Sequence, residues 1–173
     1  MAIEIETENA RVKQEYLVRV QIPSNEVKAV LKAITKVCQL KYGNYEQVAF
    51  RYNSGTQQFK PLENSKSGAT ELILVACDEL SFTVPKEEYL IKQVIEAIFE
   101  SHPYEEPVIL IGEVISTRFK YSMTRDNPNK WWNRSDLDWV PKNQREQTAS
   151  KQVTPGGVKL PLSLLSTTHK GAL

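Results

Sequence analysis

The chain has 173 residues, enough for one ordinary domain, or for a compact domain of about 100 residues with an appendage. Apolar residues make up 40% and charged residues 25%, which excludes a wholly disordered chain, a collagen-like fibre and a coiled-coil rod. No apolar run approaches the roughly 18 residues of a transmembrane helix, and residues 1–11 have no apolar signal segment. We therefore expect a cytoplasmic protein that does not span a membrane.

Charge is distributed unevenly along the chain. Residues 1–116 contain 12 Lys and Arg against 17 Asp and Glu, whereas residues 117–173 contain 10 against 4. An acidic body followed by a basic segment indicates a boundary and a tail able to interact with a partner. Cys38 and Cys77 each lie in an apolar run, which predicts buried, reduced thiols rather than a disulfide or a zinc site.

The first predicted elements are a strand and a helix. Apolar and polar residues alternate over residues 16–22, the pattern of a half-buried strand, and Pro23 ends it. Ser24 is then a candidate helix N-cap. Apolar residues at helical spacing predict an amphipathic helix of about four turns that ends near Lys41, with Gly43 beyond it.

The next predicted elements are a hairpin, a strand, a helix and a last strand. Residues 46–52 and 56–60 predict two strands joined by a tight turn at residues 53–55. Residues 70–84 predict one long strand with a bulge, or two short strands. Pro85 suits the first turn of a second helix, which Pro103 ends. The apolar run at residues 108–111 is typical of a strand inside a sheet.

The predicted order is β-α-β-β-α-β, which is the α+β, ferredoxin-like split βαβ arrangement. We expect an N-terminal arm at residues 1–14, the ferredoxin-like domain at residues 15–116, and a basic, Trp-containing, loop-rich extension at residues 117–173. Two helices would cover one face of the sheet. The other face also needs a cover, which oligomerisation commonly supplies in a domain of this size.

The segment His102-Pro103-Tyr104-Glu105-Glu106-Pro107 is the most distinctive in the chain and has two interpretations. An imidazole, a phenol and two carboxylates so close together are typical of a metal or ligand site. Alternatively, the prolines fix the backbone, His102 stabilises the end of the helix, and the acids face solvent. Composition alone favours this structural role.

The segment Gly43-Asn44-Tyr45 also has two interpretations. Glycine after a helix commonly adopts the left-handed conformation, and Asn44 tolerates it too. In the functional alternative, these backbone amides line a cleft between subunits. Gly55 is expected to serve only the hairpin turn.

Taken together, these motifs resemble the inserted domain of the Nif-three-like proteins, a family also called GTP cyclohydrolase I type 2. The similarity covers about residues 16–113. The residues that carry it are Gly43-Asn44-Tyr45, Phe50, Gly55, Phe59, Pro61-Leu62 and the segment 102–107. That inserted domain, and the short stand-alone proteins made of it alone, are similar in fold to the CutA and PII proteins. The resemblance therefore implies a homotrimer that binds ligands or metals in clefts between subunits.

The sequence departs from the family pattern at several points. Gln57 stands where the family usually has a glycine, and residues 64–67 replace its usual Pro-x-x-Gly segment. The flanking domains that hold the family's dinuclear metal site have no counterpart in this sequence. Because the chain has only two histidines, His102 and His169, we expect that it does not form that site.

The favoured hypothesis is a non-enzymatic, homotrimeric binding or regulatory module of the CutA and PII type. Its ligand-binding residues would be Gly43, Asn44, Tyr45 and Tyr104. His102 and Glu105 would be metal ligands, with a divalent metal as the candidate cofactor. No catalytic residue is assigned, since the sequence has no nucleophile elbow, Gly-rich phosphate loop, H-E-x-x-H or C-x-x-C motif.

Two alternatives remain open. In one, the basic tail, with Trp131, Trp132 and Trp139, docks a protein partner. In the other, the chain is a metal-dependent hydrolase related to the Nif-three-like proteins. A nucleic-acid partner is disfavoured, because the positive charge is spread along the tail and no nucleic-acid-binding motif occurs.

Overall fold

Four strands and two helices alternate in the order that the sequence predicts. In the computed structural model of the chain, residues 5–68, 70–120 and 130 are described. The elements are β1 (Ala10–Pro23), α1 (Val27–Val37), β2 (Phe50–Phe59), β3 (Ile73–Pro85), α2 (Glu88–Ser101) and β4 (Ile109–Phe119). The sheet has the order β2-β3-β1-β4, and all neighbouring strands are antiparallel. The predicted α+β, ferredoxin-like fold is confirmed.

The core lies between the two helices and one face of the sheet. Inward residues of β1 alternate with outward ones, and they pack against inward residues of β3 in register, as with Val18 and Phe82. Both helices contribute an apolar stripe at helical spacing to the same cluster. The fully buried members are Val18, Val20, Ile22, Val30, Ile34, Val84, Val94 and Ile98.

The outer strands are longer than the sequence predicts. β1 begins at Ala10 and β4 continues to Phe119, because these strands pair with each other from Ala10 opposite Phe119 to Val20 opposite Ile109. Residues 10–14 and 117–119 therefore belong to strands rather than to the expected arm and extension. None of these residues belongs to the apolar core, so the sequence pattern gave only a weak signal, and backbone pairing between β1 and β4 holds most of them in place. The rest of the expected extension lies outside the described residues, except Lys130.

The predicted hairpin at residues 46–60 is wrong. β2 is a single strand, and Asn53 and Ser54 form a β-bulge opposite Asp78, between the pairs Tyr52 with Glu79 and Gly55 with Cys77. The bulge that the sequence predicts for residues 70–84 therefore lies in the partner strand β2. Of the two alternatives for residues 70–84, one long strand is correct. Gly55 is required by close approach, since a Cβ atom there would lie 2.6 Å from the carbonyl oxygen of Cys77.

The helix ends also differ from expectation. Ser24 does not cap α1, because the N-cap residue of that helix is Glu26. The Ser24 hydroxyl instead donates a hydrogen bond to Asp78 Oδ1 at 2.6 Å. α1 ends at Val37, short of Lys41, because the chain turns extended at the next residue. Pro85 is the last residue of β3 rather than part of α2.

Cys38 and Cys77 are buried free thiols, as predicted. Among the residues that the structure describes, no helix has the length and apolar character needed to cross a membrane.

Candidate functional site

His102 joins the end of α2 to β1. Its ring is buried, and its Nε2 atom lies 2.9 Å from the backbone oxygen of Gln21. Because a carbonyl only accepts, Nε2 carries the proton; Nδ1 then accepts from the backbone N–H of Tyr104 at 3.0 Å. Burial lowers the pKa of His102, and the hydrogen bond to Gln21 partly opposes this. The ring is therefore a neutral group whose two nitrogen atoms both have partners in the chain.

Tyr104 and Glu105 pack against the loop between β2 and β3. The Tyr104 ring makes edge-to-face contacts with Phe59 and His102, at centroid distances of 5.6 and 5.0 Å. Its hydroxyl is buried and has no hydrogen-bond partner among the described residues. Burial, and secondarily the thiol of Cys77, raise the pKa of Tyr104. Glu105 accepts a hydrogen bond from the backbone N–H of Lys66 at 3.0 Å.

The structure thus brings His102, Tyr104 and Glu105 into one turn, where each has a local structural role. A metal ion at His102 would have to displace either Gln21 or Tyr104 from the ring. Across residues 5–68 and 70–120, no group of three His, Cys, Asp or Glu comes together to hold a metal. Metal ligation by His102 and Glu105 remains a prediction.

The other predicted site residues lie in a tight turn after α1. The backbones of Tyr42 and Tyr45 exchange two hydrogen bonds, of 2.8 and 3.2 Å, around Gly43 and Asn44. Gly43 has a φ of 61°, as expected, whereas Asn44 does not adopt a positive φ. Tyr45 is exposed at the tip.

The loop that contains this turn has two strained residues that the sequence did not single out. Leu40 and Gln47 have positive φ angles of 48° and 57°, a conformation that costs a non-glycine residue about 1–2 kcal/mol. Backbone hydrogen bonds from Gln47 to Gln39 and from Val48 to Leu40 close the loop, at 2.8 and 3.0 Å. Leu40 is only 1% exposed, so core burial offsets its backbone strain. Backbone hydrogen bonds and the burial of Leu40 therefore hold this segment, here called the 39–48 loop, in one conformation.

The 39–48 loop is also tied to the far end of the sheet. The guanidinium of Arg118 lies over the Tyr42 ring, 3.8 Å from its centroid. The same guanidinium contacts both carboxylate oxygens of Glu15 at 2.5 Å, and Ser116 donates to Glu15 at 2.6 Å. Glu15 is 1% exposed, so this ion pair is buried.

Within one chain, the two groups of predicted site residues lie apart. The 39–48 loop is joined through Arg118 to Glu15, whereas His102 contacts Gln21 near the other end of β1. Glu15 and Gln21 are separated by about 20 Å along the strand, at ~3.3 Å per residue. A single chain therefore does not bring Gly43, Asn44 and Tyr45 to Tyr104.

The β-bulge of β2 produces a recess that the sequence did not predict. The bulge recess is lined by Gln21, Tyr52, Asn53, Gly55, Thr56, Gln57, Cys77, Asp78 and Glu79. The Cys77 thiol lies 3.7 Å from Oε1 of Gln57. Burial, and then Asp78, raise the pKa of Cys77, so its thiol is protonated and unreactive at neutral pH. The one sequence signal was Gly55, interpreted as a turn residue.

Within residues 5–68 and 70–120, the sheet face opposite the helices, here called the open face, is largely uncovered. At its centre Arg19 makes a two-pronged ion pair with Glu79, with distances of 2.7 and 3.0 Å. Around it lie Phe50, Tyr52 and Leu110, with exposed fractions of 60%, 56% and 50%. The rings of Phe50 and Tyr52 are in edge-to-face contact, with centroids 4.6 Å apart.

No protein-family model matches the chain, and no curated protein matches it. Among solved structures, a Bacillus cereus protein related to NIF3 is 26% identical with a TM-score of 0.50, over 60% of this chain and 26% of that one. CutA1 from Oryza sativa is 13% identical with a TM-score of 0.44, over 60% and 82% of the two chains. CPII, a nitrogen regulatory PII-like protein from Thiomonas intermedia K12, is 10% identical with a TM-score of 0.41, over 61% and 94%.

The match to the NIF3-related protein confirms the resemblance that the motifs indicate. The chain spans about a quarter of the length of the NIF3-related protein that it matches.

Proposed function

We propose that this chain is a non-enzymatic binding or regulatory module that assembles as a homotrimer and holds its ligand in clefts between subunits. The observation that carries the proposal is the open face. Its exposed apolar side chains, Phe50, Tyr52 and Leu110, surround an ion pair that is already neutralised within the chain. Covering this face removes apolar area from water at ~25 cal/mol per Å² and leaves no unpaired charge behind.

The separation of the two groups of predicted site residues supports a cleft between subunits. A cleft that contains both groups takes the tip of the 39–48 loop from one subunit and the 102–105 turn from its neighbour. Gly43, Asn44 and Tyr45 would then face Tyr104 and Glu105 across the contact. The positive φ of Gln47 supports this role, because Gln47 is exposed and core burial therefore does not offset its backbone strain.

The test is native mass spectrometry of the freshly purified full-length chain, with metal analysis of the same sample. We expect a mass of three chains with a stoichiometric small-molecule or metal adduct. Phe50→Glu places a charge on the open face, so we expect it to yield single chains. Tyr89→Glu is the matched control, since Tyr89 is an exposed aromatic residue on α2, and its variant should remain trimeric. A wild-type chain that is monomeric at micromolar concentration would contradict the proposal.

The same sample distinguishes the alternatives. Two metal ions per chain would favour the hydrolase. A partner bound through the tail is tested by truncation after Lys120, which retains the whole of β4. Truncation after Ser116 is unsuitable, because it would remove Arg118 and leave the buried Glu15 unpaired.

A further inference from the structure

We propose that the bulge recess binds an uncharged, planar ligand that carries a carboxamide or an equivalent pair of donor and acceptor groups. The inference rests on the proposed function, in that the chain is a binding module. It places a ligand at residues distinct from the 39–48 loop and the 102–105 turn, and it names the ligand's chemical class.

The recess is built from rigid parts. The backbones of Gly55 and Cys77 are in direct contact, so that no side chain fits between them. Opposite the bulge, Asp78 is held by Arg51 Nε at 2.5 Å and by the Ser24 hydroxyl at 2.6 Å. The recess has a volume of about 310 Å³, at the lower limit of small-molecule sites, roughly 300–1,000 Å³. The bulge therefore has a fixed shape before any ligand arrives.

The lining is rich in groups that both donate and accept hydrogen bonds. Gln21, Asn53 and Gln57 contribute carboxamides, and Thr56 a hydroxyl. The contact of Gln57 with the Cys77 thiol, at 3.7 Å, is weak, so a ligand amide can replace it at little cost. Tyr52 adds an exposed aromatic ring beside these amides. A flat molecule with its own amide complements this combination.

The charge of the lining favours an uncharged ligand over an anionic one. Two carboxylates, of Asp78 and Glu79, line the recess, and they are ion-paired with Arg51 and Arg19. No Lys, Arg or His of the described part of the chain is among the lining residues. A phosphate or carboxylate would find no lining cation to pair with, since both arginines are already paired with lining carboxylates.

Nicotinamide and nicotinate test the inference, because they share one ring and differ in the charge of one group. We expect nicotinamide to cause saturable changes in the amide NMR signals of Gly55, Gln57 and Cys77 in the full-length protein. We expect nicotinate to bind at least about tenfold more weakly. Gln57→Leu should abolish saturation, whereas Gln58→Leu, at a neighbouring position outside the lining, should bind as wild type. The amide spectrum of each variant reports whether the fold is intact.

Tyr52 and Glu79 belong both to the bulge recess and to the open face, so nicotinamide binding is measured on the wild-type protein and on single chains of Phe50→Glu. Absence of saturable changes in both proteins, equal affinity for nicotinate, or unchanged binding by Gln57→Leu would overturn the inference. A wild-type monomer that binds nicotinamide would contradict only the homotrimer.

Discussion

The Nδ1 atom of His102 accepts a hydrogen bond from the backbone N–H of Tyr104 at 3.0 Å, while Nε2 of the same ring contacts the Gln21 carbonyl. A second proton on the ring would set one N–H group against another. One imidazole thus fixes both the end of α2 and the start of the 102–105 turn, and it does so only in the neutral form.

This arrangement predicts a dependence of stability on pH. Burial lowers the pKa of His102 from its ordinary 6.5, so below that pH the unfolded chain takes up a proton that the folded chain does not. The contribution of His102 to the free energy of unfolding is therefore present above pH 6.5 and lost as the pH falls from 6.5 toward the lower pKa of the folded state. We expect the decline to be smaller in His102→Gln, as measured by urea unfolding at a series of pH values.

His169→Gln is the control, since it removes the other histidine of the chain. Carboxylates titrate similarly in all three proteins, so the difference between variants isolates the imidazole. His102→Gln should also lose about 1–3 kcal/mol at neutral pH through impaired hydrogen bonds. An identical pH slope in His102→Gln and wild type would contradict the neutral assignment.

A second prediction concerns Gly55. Gly55→Ala places a Cβ atom 2.6 Å from the Cys77 carbonyl oxygen, and backbone must shift to relieve the contact. We expect a loss of about 1–3 kcal/mol in the free energy of unfolding, as for overpacked sites. Gly112→Ala, also in a strand, meets nothing within 4 Å and should be neutral or slightly stabilising. Equal effects of the two substitutions would show that the close approach is not what requires glycine at Gly55.

The third prediction compares two arginines that pair with acids on β3. Arg51→Ala removes a cation from the carboxylate of Asp78, which is 3% exposed, and breaking such a buried ion pair typically costs about 3–5 kcal/mol. Arg19→Ala breaks a pair at the more exposed Glu79, and such pairs contribute about 0–1 kcal/mol. Thermal or urea unfolding of both variants measures the contrast. A larger loss of stability in Arg19→Ala than in Arg51→Ala would contradict the conclusion that the Arg51–Asp78 pair is the more important of the two.

A fourth prediction uses the strained 39–48 loop. Gln47 is exposed with a φ of 57°, so Gln47→Gly removes a steric penalty of about 1–2 kcal/mol, and the flexibility of glycine costs about 0.5–1 in return. We expect a small gain in the free energy of unfolding. Glu46→Gly, at a neighbouring position without a positive φ, should lose stability instead. A loss in both variants would show that the backbone at Gln47 is not strained.

The sequence predicted the elements whose apolar periodicity is strong. Both helices and the central part of β1 follow from the spacing of buried residues such as Val18 and Ile34, because burial on one face imposes that spacing. The ends of β1 and β4 could not be found in this way, since residues such as Lys13 and Thr117 are held there by backbone pairing.

The candidate site was less accessible from sequence. Residues 102–105 are distinctive in composition, yet the partners that define His102, in β1 and in its own turn, depend on tertiary contacts. The left-handed backbone of Leu40 and the bulge at Asn53 arise from core packing and close strand approach, which local residue preferences oppose or leave undetermined. Asn53-Ser54-Gly55 has the composition of a hairpin turn, and only the pairing of β2 with β3 shows otherwise.

The pairing of Ala10 with Phe119 places the first and last paired residues of the sheet side by side, within about 5.5 Å between Cα atoms. A unit whose first and last strands end side by side can be inserted into a surface turn of another protein. The two residues that flank the insertion point then stay close together. Among the described residues, all four strands pair within this one sheet, so the pairing needs no strand from a host protein. The pairing of β1 with β4 thus allows this fold to be inserted into another polypeptide without loss of a strand pair.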